Sequence, residues 1–195
     1  MTNVTKLFQK LVVLALVIVG GVISIQASWL PTKAWVSQQL INYSWQQSIT
    51  APKPLVAIKP WPWADTYPIA ELIFQRLDKS IVVLNGGDPT TLAFSAGAVA
   101  PFNQPKATNP FVVAGHRDSH FAFLEDIAMK DVISLVDGQG KTQLYQVQNI
   151  DIVDATTGQL PLIADEQTLV LITCYPFNQL GNDSNERYVI TAKPL

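Results

Sequence analysis

The stretch TLVLITCYPF, Thr168 to Phe177, decides the fold of this chain. Its first seven residues form an apolar run of the length of one strand, which is typical of a strand buried on both faces. The run ends in Cys174, the only cysteine among 195 residues. A rigid strand holds the residue at its end in a fixed place, so the sequence poses the question of what this thiol does.

Short strands surround this run in the sequence. The turn sequence Asp137-Gly138-Gln139-Gly140 between two of them is a hairpin signal. Many short strands at this spacing predict a mainly β fold, a single closed or nearly closed β-barrel with short helices. The predicted strands are IAELIFQRL, KSIVVLNG, FVVAG, DVISLV, KTQLYQVQNIDIVD, TLVLITC and RYVITAK.

An uncharged apolar segment, Leu11 to Leu30, precedes the strands. It has the roughly 20 residues that a helix needs to cross a bilayer. Lys6 and Lys10 precede it, which favours a cytoplasmic N-terminus. A cleaved signal peptide is the alternative, but the run is long for one and Ile25 to Ala27 is a poor cleavage site. We therefore expect a single-pass anchor in the cell membrane, with the rest of the chain outside the cytoplasm.

Four regions follow from this pattern. We expect a cytoplasmic N-terminus at residues 1–10 and a transmembrane anchor at residues 11–30. A stalk helix and Pro-rich linker would occupy residues 31–66, and the β-barrel domain residues 67–195. Trp29 at the end of the anchor and Trp35 and Trp45 in the stalk region are expected at the membrane interface, where aromatic side chains collect.

Composition excludes one class of function and leaves the thiol open. The net charge is −2 and charged residues are 14%, so there is no basic stripe of the kind that binds nucleic acid. An odd cysteine in an exported protein indicates intermolecular pairing or a free reactive thiol. The alternative is a small buried hydrophobic residue, which free cysteine often is.

A thiol becomes a good nucleophile when a neighbouring base or cation deprotonates it. His116 directly follows the strand FVVAG, where a barrel displays side chains on a rigid frame, and is the better candidate base. His120 lies in a predicted short helix and is the weaker candidate. Arg187 begins the strand after Cys174, where its guanidinium could hold developing negative charge on a carbonyl oxygen. A solvated arginine paired with Asp183 is the alternative.

Two further motifs are weaker. His116, Asp118 and His120 could suggest a metal site, but the glutamate of H-E-x-x-H is missing and this histidine spacing is common by chance. The tripeptide HRD also opens the kinase catalytic loop, yet neither a Gly-rich loop nor D-F-G is present. We expect neither a metal nor a cofactor.

Three short motifs, taken in order, resemble those of the sortase family. They are Ala114-Gly115-His116, Leu171-Ile172-Thr173-Cys174 and Arg187-Tyr188-Val189. Around the cysteine the family usually has T-L-x-T-C, and here Val170 replaces the leading threonine. The resemblance covers Ile69 to Leu195. The stretch PWPWADTYPIAEL resembles the sortases of Gram-negative marine proteobacteria, which implies an inner membrane and a periplasmic domain.

The resemblance implies a membrane-anchored cysteine transpeptidase. Such an enzyme cleaves a C-terminal sorting signal of a secreted protein, commonly an LPxTG-like pentapeptide, through a thioacyl intermediate, and passes the acyl group to an amine acceptor. It implies that Cys174 is the nucleophile, His116 the general acid and base, Arg187 the stabiliser of the oxyanion and substrate, and Thr173 a substrate contact. A hydrolytic cysteine peptidase on the same barrel and a non-catalytic, membrane-tethered binding domain with an inert cysteine are the alternatives.

Overall fold

The computed structural model describes residues 2–50, 57–105, 108–157, 166–178 and 184–195. Of residues 2–5 and 7 it describes the backbone alone. The chain divides into two compact units, Met1–Gln39 and Leu40–Leu195.

Within these residues the second unit is built mainly from short strands. The strands are β1 Pro68–Phe74, β2 Lys79–Asn85, β3 Gly97–Ala98, β4 Phe111–Ala114, β5 Val132–Asp137, β6 Thr142–Asp154, β7 Leu169–Cys174 and β8 Glu186–Pro194. The helices are α1 Thr2–Thr50 and α2 Pro89–Phe94, with 3-10 turns at Ala122–Asp126 and Ala155–Thr157.

These strands form a closed barrel in the order β1-β2-β3-β4-β7-β8-β6-β5. The β2–β3 and β4–β7 pairs are parallel and the others antiparallel. The predicted turn between β5 and β6 is present, and Gly140 in it has a φ of +73°, a conformation that favours glycine. The prediction of a closed β-barrel with short helices is therefore confirmed.

Strand β7 is covered on both faces, as its apolar sequence predicts. Leu169 and Leu171 lie in the main core inside the barrel. The alternate residue Val170 belongs to a second cluster on the outer face, together with Val112 of β4 and Val189 of β8. Because successive side chains of a strand point to opposite faces, this double burial requires an apolar run without alternation.

Helix α1 is a single helix that includes Pro31. Its stretch Phe8–Thr50 is, by length and composition, the one helix among the described residues that is long and apolar enough to cross a membrane, with a hydropathy of 2.4 in its most apolar window. This agrees with the apolar N-terminal helix expected from the sequence.

The last turns of α1 belong to the barrel unit. Ile41 and Trp45 are buried in one cluster with Val82 and Leu84 of β2, and the Trp45 indole Nε1 donates a hydrogen bond of 2.9 Å to the Glu71 carboxylate. The expectation that Trp45 lies at a membrane interface is wrong, because its ring is only 1% exposed and packs on protein.

The compact unit also begins earlier in the chain than the barrel domain expected at residue 67. Of the prolines that suggested a linker, Pro52 and Pro54 lie outside the described residues. Residues 57–66 between the helix and β1 include the buried Pro60, Ala64 and Thr66. The proline pattern therefore marks an irregular segment, parts of which are packed against the domain.

We expect Trp45→Ala to lower the free energy of unfolding by about 3–5 kcal/mol, the range for removing a large buried aromatic side chain. The matched control is Trp63→Ala, because Trp63 is 80% exposed and should change stability by less than about 0.5 kcal/mol. Denaturant unfolding of the full chain in detergent measures both. Equal effects of the two substitutions would show that the end of α1 does not stabilise the barrel.

Candidate active site

The pairing of β7 with β8 places Cys174 directly opposite Arg187. Side chains of directly opposed residues lie on the same face of a sheet, with Cβ atoms about 4.5–5.5 Å apart. On that face the next pair down is Ile172 with Val189, and both belong to the outer apolar cluster. Cys174, which is partly exposed, therefore faces outward, above an apolar layer and on the same face as Arg187.

His116 reaches the same end of the barrel from the other side of β7. In the parallel β4–β7 pair, Ala114 is aligned with Ile172, and the Gly115 amide continues the pairing by donating to the Ile172 carbonyl at 3.1 Å. His116 is exposed and follows directly after this last paired residue. The neighbouring strands β4, β7 and β8 thus bring the three predicted residues to one end of the barrel.

The side chain of Thr173 points to the inner face of the barrel, whereas that of Cys174 points outward. Its side chain is 2% exposed, and its hydroxyl donates a hydrogen bond of 2.8 Å to the carbonyl of Gly115. This hydrogen bond joins Thr173, the residue before the cysteine, to Gly115, the residue before the histidine. The substrate contact expected for Thr173 stays a prediction.

The loop that carries His116 is folded back by Phe121. The Phe121 amide donates to the His116 carbonyl at 2.9 Å, and the Phe121 ring is fully buried. A Cβ atom at Gly115 would come within 2.7 Å of that ring. Glycine is therefore required at this position, because any side chain would displace the ring that holds the loop.

His120 is turned toward helix α2 and packs against protein. Burial lowers the pKa of His120, a hydrogen bond to the backbone of Ala93 opposes that shift, and the nearby His116 adds to it. Burial thus favours the neutral form of His120 more than in a free histidine. Among the described residues, no group of three or more His, Cys, Asp or Glu side chains is arranged to hold a metal ion.

Arg187 is held by backbone carbonyls. Its Nη1 donates to the Ser184 carbonyl at 3.0 Å and to the Glu186 carbonyl at 2.9 Å. Two hydrogen bonds on one nitrogen orient the planar fork. Asp183, the alternative partner considered from the sequence, lies outside the described residues.

An aromatic cluster next to the cysteine was not found by sequence reasoning. Tyr175 and Tyr188 stack with their ring centroids 6.1 Å apart, and Phe177 meets Tyr188 edge-on at 5.1 Å. Burial raises the pKa of Tyr188, and the neighbouring Tyr175 and Glu125 raise it further. The sequence signal was the tripeptide YPF directly after the cysteine. Its aromatic partner Tyr188 lies in β8, and only the β7–β8 register shows that the two segments are neighbours.

The family profile "Sortase domain" matches residues 72–195, which is more than half of the chain. The chain belongs to the sortase family. Among curated proteins, Sortase D of Bacillus subtilis (strain 168) is similar, with 28% identity over 119 residues. That match covers 60% of this chain and 59% of the length of its relative.

Solved sortase structures share the fold. A Clostridium perfringens Sortase D5 transpeptidase superimposes with a TM-score of 0.65 at 17% identity, covering 82% of this chain and 98% of that one. The catalytic domain of B. anthracis SrtD gives 0.55 at 32% identity, covering 66% and 87%. Clostridium perfringens sortase C, solved with the C-terminal cell wall sorting motif, gives 0.58 at 17%, covering 84% and 90%. The resemblance to marine Gram-negative sortases stays a prediction.

We expect Thr173→Val to lower the free energy of unfolding by about 1–3 kcal/mol, because the buried Gly115 carbonyl loses its donor. The substitution should also shift the ring C–H resonances of His116 in NMR spectra, since the loop loses a fixed point. Thr173→Ser keeps the hydroxyl and is the matched control. Identical His116 resonances in Thr173→Val and the unmodified chain would show that this bond does not position the loop.

Proposed function

We propose that this sortase is a membrane-anchored cysteine transpeptidase that acts on a C-terminal sorting signal of secreted proteins. The observation that supports this most is the β7–β8 register, which sets the sole cysteine opposite Arg187. His116 leaves the adjacent strand β4 at the same end of the barrel. Membership of the sortase family supports the same chemistry.

In the first half of the proposed reaction, the Cys174 thiolate attacks the carbonyl carbon of the scissile peptide bond. The carbon–nitrogen bond breaks, and the His116 imidazolium gives its proton to the departing amine. The product is a thioester on Cys174 and a free C-terminal fragment. Splitting acyl transfer into two steps in this way lowers the barrier of each.

Arg187 is assigned to the negative charge that develops on the carbonyl oxygen. The two backbone carbonyls engage Nη1, and we assign the Nε–H and the Nη2–H on the same edge of the fork to the oxyanion. A donor held in place before the reaction needs no reorganisation when the charge forms.

In the second half an amine acceptor attacks the thioester. Neutral His116 takes the proton of the attacking amine, a new amide bond forms, and the Cys174 thiolate leaves. The apolar layer formed by Ile172 and Val189 beneath the site would limit access of water, which favours the amine over hydrolysis.

The proposal also covers location and substrate. The apolar stretch of α1 supports a membrane anchor at residues 11–30. Lys6 and Lys10, which precede the anchor, support a cytoplasmic location for residues 1–10. The barrel would then lie outside the cytoplasm, in the periplasm of a cell with two membranes. A protein substrate with a C-terminal signal is proposed by analogy with the sortase C bound to such a motif.

The function is tested by product analysis with a panel of LPxTG-like peptides, with and without an added alkylamine. We expect the amine to be joined to the N-terminal fragment, and Cys174→Ala to remove this product while the fold is retained. Cleavage to a free acid that added amine does not divert would indicate a hydrolytic peptidase. A folded chain whose thiol resists iodoacetamide would contradict a catalytic role and favour the binding domain.

We expect Arg187→Lys to lower turnover by about 100- to 1000-fold, the usual cost of losing one oxyanion donor, because lysine cannot reproduce the planar fork. The alkylation rate of Cys174 should change much less. The control is Arg76→Lys, which makes the same chemical change at the ion pair with Asp131 and should leave turnover unaltered. Near-normal turnover in Arg187→Lys would remove Arg187 from the site.

A further inference from the structure

A pocket of about 350 Å³ lies between helix α2 and the segment that precedes β1. Its walls contain three aromatic rings, Trp61, Trp63 and Phe94, and two carboxylates, Asp65 and Asp88. None of the described residues that line it is basic. The proposed transpeptidase chemistry uses none of these residues.

One wall of this pocket is rigid. The Trp61 ring packs against the cluster that contains Trp45 and Leu84, and it meets Phe94 edge-on, with ring centroids 5.0 Å apart and an interplanar angle of 66°. The Ala64 amide closes a turn onto the Trp61 carbonyl at 3.0 Å. The aromatic wall is therefore in place before any ligand arrives.

Trp63, which also lines the pocket, is unusually exposed for a tryptophan. Trp63 is 80% exposed, although tryptophan is a residue that folded proteins bury extensively on average. The segment that carries it is nevertheless fixed, because the buried Thr66 hydroxyl donates to the Asn85 carbonyl at 2.8 Å. The exposed indole of Trp63 therefore lines the pocket from an anchored segment and offers a large aromatic surface to a ligand.

The carboxylates give the pocket a negative charge. Both Asp65 and Asp88 are exposed. Asp88 accepts hydrogen bonds from the amides of Thr90 and Thr91 and from the Thr91 hydroxyl. These bonds lower the pKa of Asp88, and the bond from the Thr91 hydroxyl has the largest effect. The Asp88 carboxylate is therefore charged throughout the neutral range.

We propose that this pocket binds an organic ammonium group, of the kind found in choline or in a lysine side chain. Aromatic faces attract such a cation through their quadrupole, and carboxylates at the rim add a direct charge interaction. A lipid surface is the less favoured occupant, because two charged carboxylates beside the indole would lose hydration on entering it. The site is independent of acyl transfer at Cys174, so either proposal can fail alone.

The test uses the full chain with ¹⁵N-labelled tryptophans in maltoside detergent, titrated with tetramethylammonium chloride. Each of the five tryptophans gives an indole N–H signal, so the chain contains its own controls. We expect saturable shifts at Trp61 and Trp63 and none at Trp29 or Trp35. Sodium chloride at equal ionic strength and the neutral isostere tert-butanol should produce no saturable shift.

Two variants separate the aromatic from the ionic contribution. Trp63→Leu keeps an apolar side chain and should weaken binding about three- to tenfold, the range of a cation–π contact. Asp88→Asn removes the charge while asparagine still caps the helix, and it should also weaken binding. Asp78→Asn, at an exposed turn outside the pocket, is the control and should bind as the unmodified chain does.

Three results would overturn the proposal. Equal shifts with tert-butanol would show an unspecific apolar pocket, and equal binding by Trp63→Leu and the unmodified chain would exclude the aromatic contact. Absence of any saturable shift, with broadening of the Trp63 signal by a doxyl-labelled lipid, would assign the exposed indole to the membrane surface.

Discussion

The candidate site depends on the backbone hydrogen-bond ladder that holds β7 between β4 and β8. Its register with β8 sets Cys174 opposite Arg187, and its register with β4 sets the departure point of His116. Slipping one strand by a single residue would exchange its two faces. The thiol would then turn toward the barrel core. A slip would also exchange the side chains that fill the inner and outer clusters and break the hydrogen bond from the Thr173 hydroxyl to the Gly115 carbonyl.

The two faces of β7 carry out different tasks. Inside the barrel, Thr173 bonds the Gly115 carbonyl and joins the strand of the cysteine to the strand of the histidine. Outside, Cys174 is partly exposed above an apolar layer. One step along the strand separates a residue fixed by the core from a residue available to a substrate. This arrangement explains how a lone thiol can be both accessible and precisely placed.

The sequence predicted those features that follow from a continuous local pattern. The apolar run of β7, the hairpin at Asp137 to Gly140 and the barrel class are of this kind. The positions of Trp45 and of the Tyr175–Tyr188 stack depend on contacts between distant segments, here with Glu71 and across the β7–β8 ladder. A helical face only one turn long has no periodicity to detect, so the docked end of α1 looked like part of a stalk.

For the candidate site, the sequence predicted which residue types occur and in which order, but not how they are arranged in space. That His, Cys and Arg meet at one barrel end follows from strand order and register, since β4 and β7 are far apart in the chain and pair in parallel. The orientation of the Arg187 fork by backbone carbonyls could not be read from sequence at all, because backbone acceptors have no signature in the residue types.

The central claim is that Cys174 forms a thioester with the substrate. It is tested most directly by the intact mass of the full chain, quenched in acid after incubation with a cleavable sorting-signal peptide and no amine. We expect a mass increase equal to the N-terminal fragment, located at Cys174 by peptide mapping and removed by hydroxylamine. An adduct at a residue other than Cys174 would contradict this claim. Normal cleavage of the peptide after Cys174 has been alkylated would also contradict it.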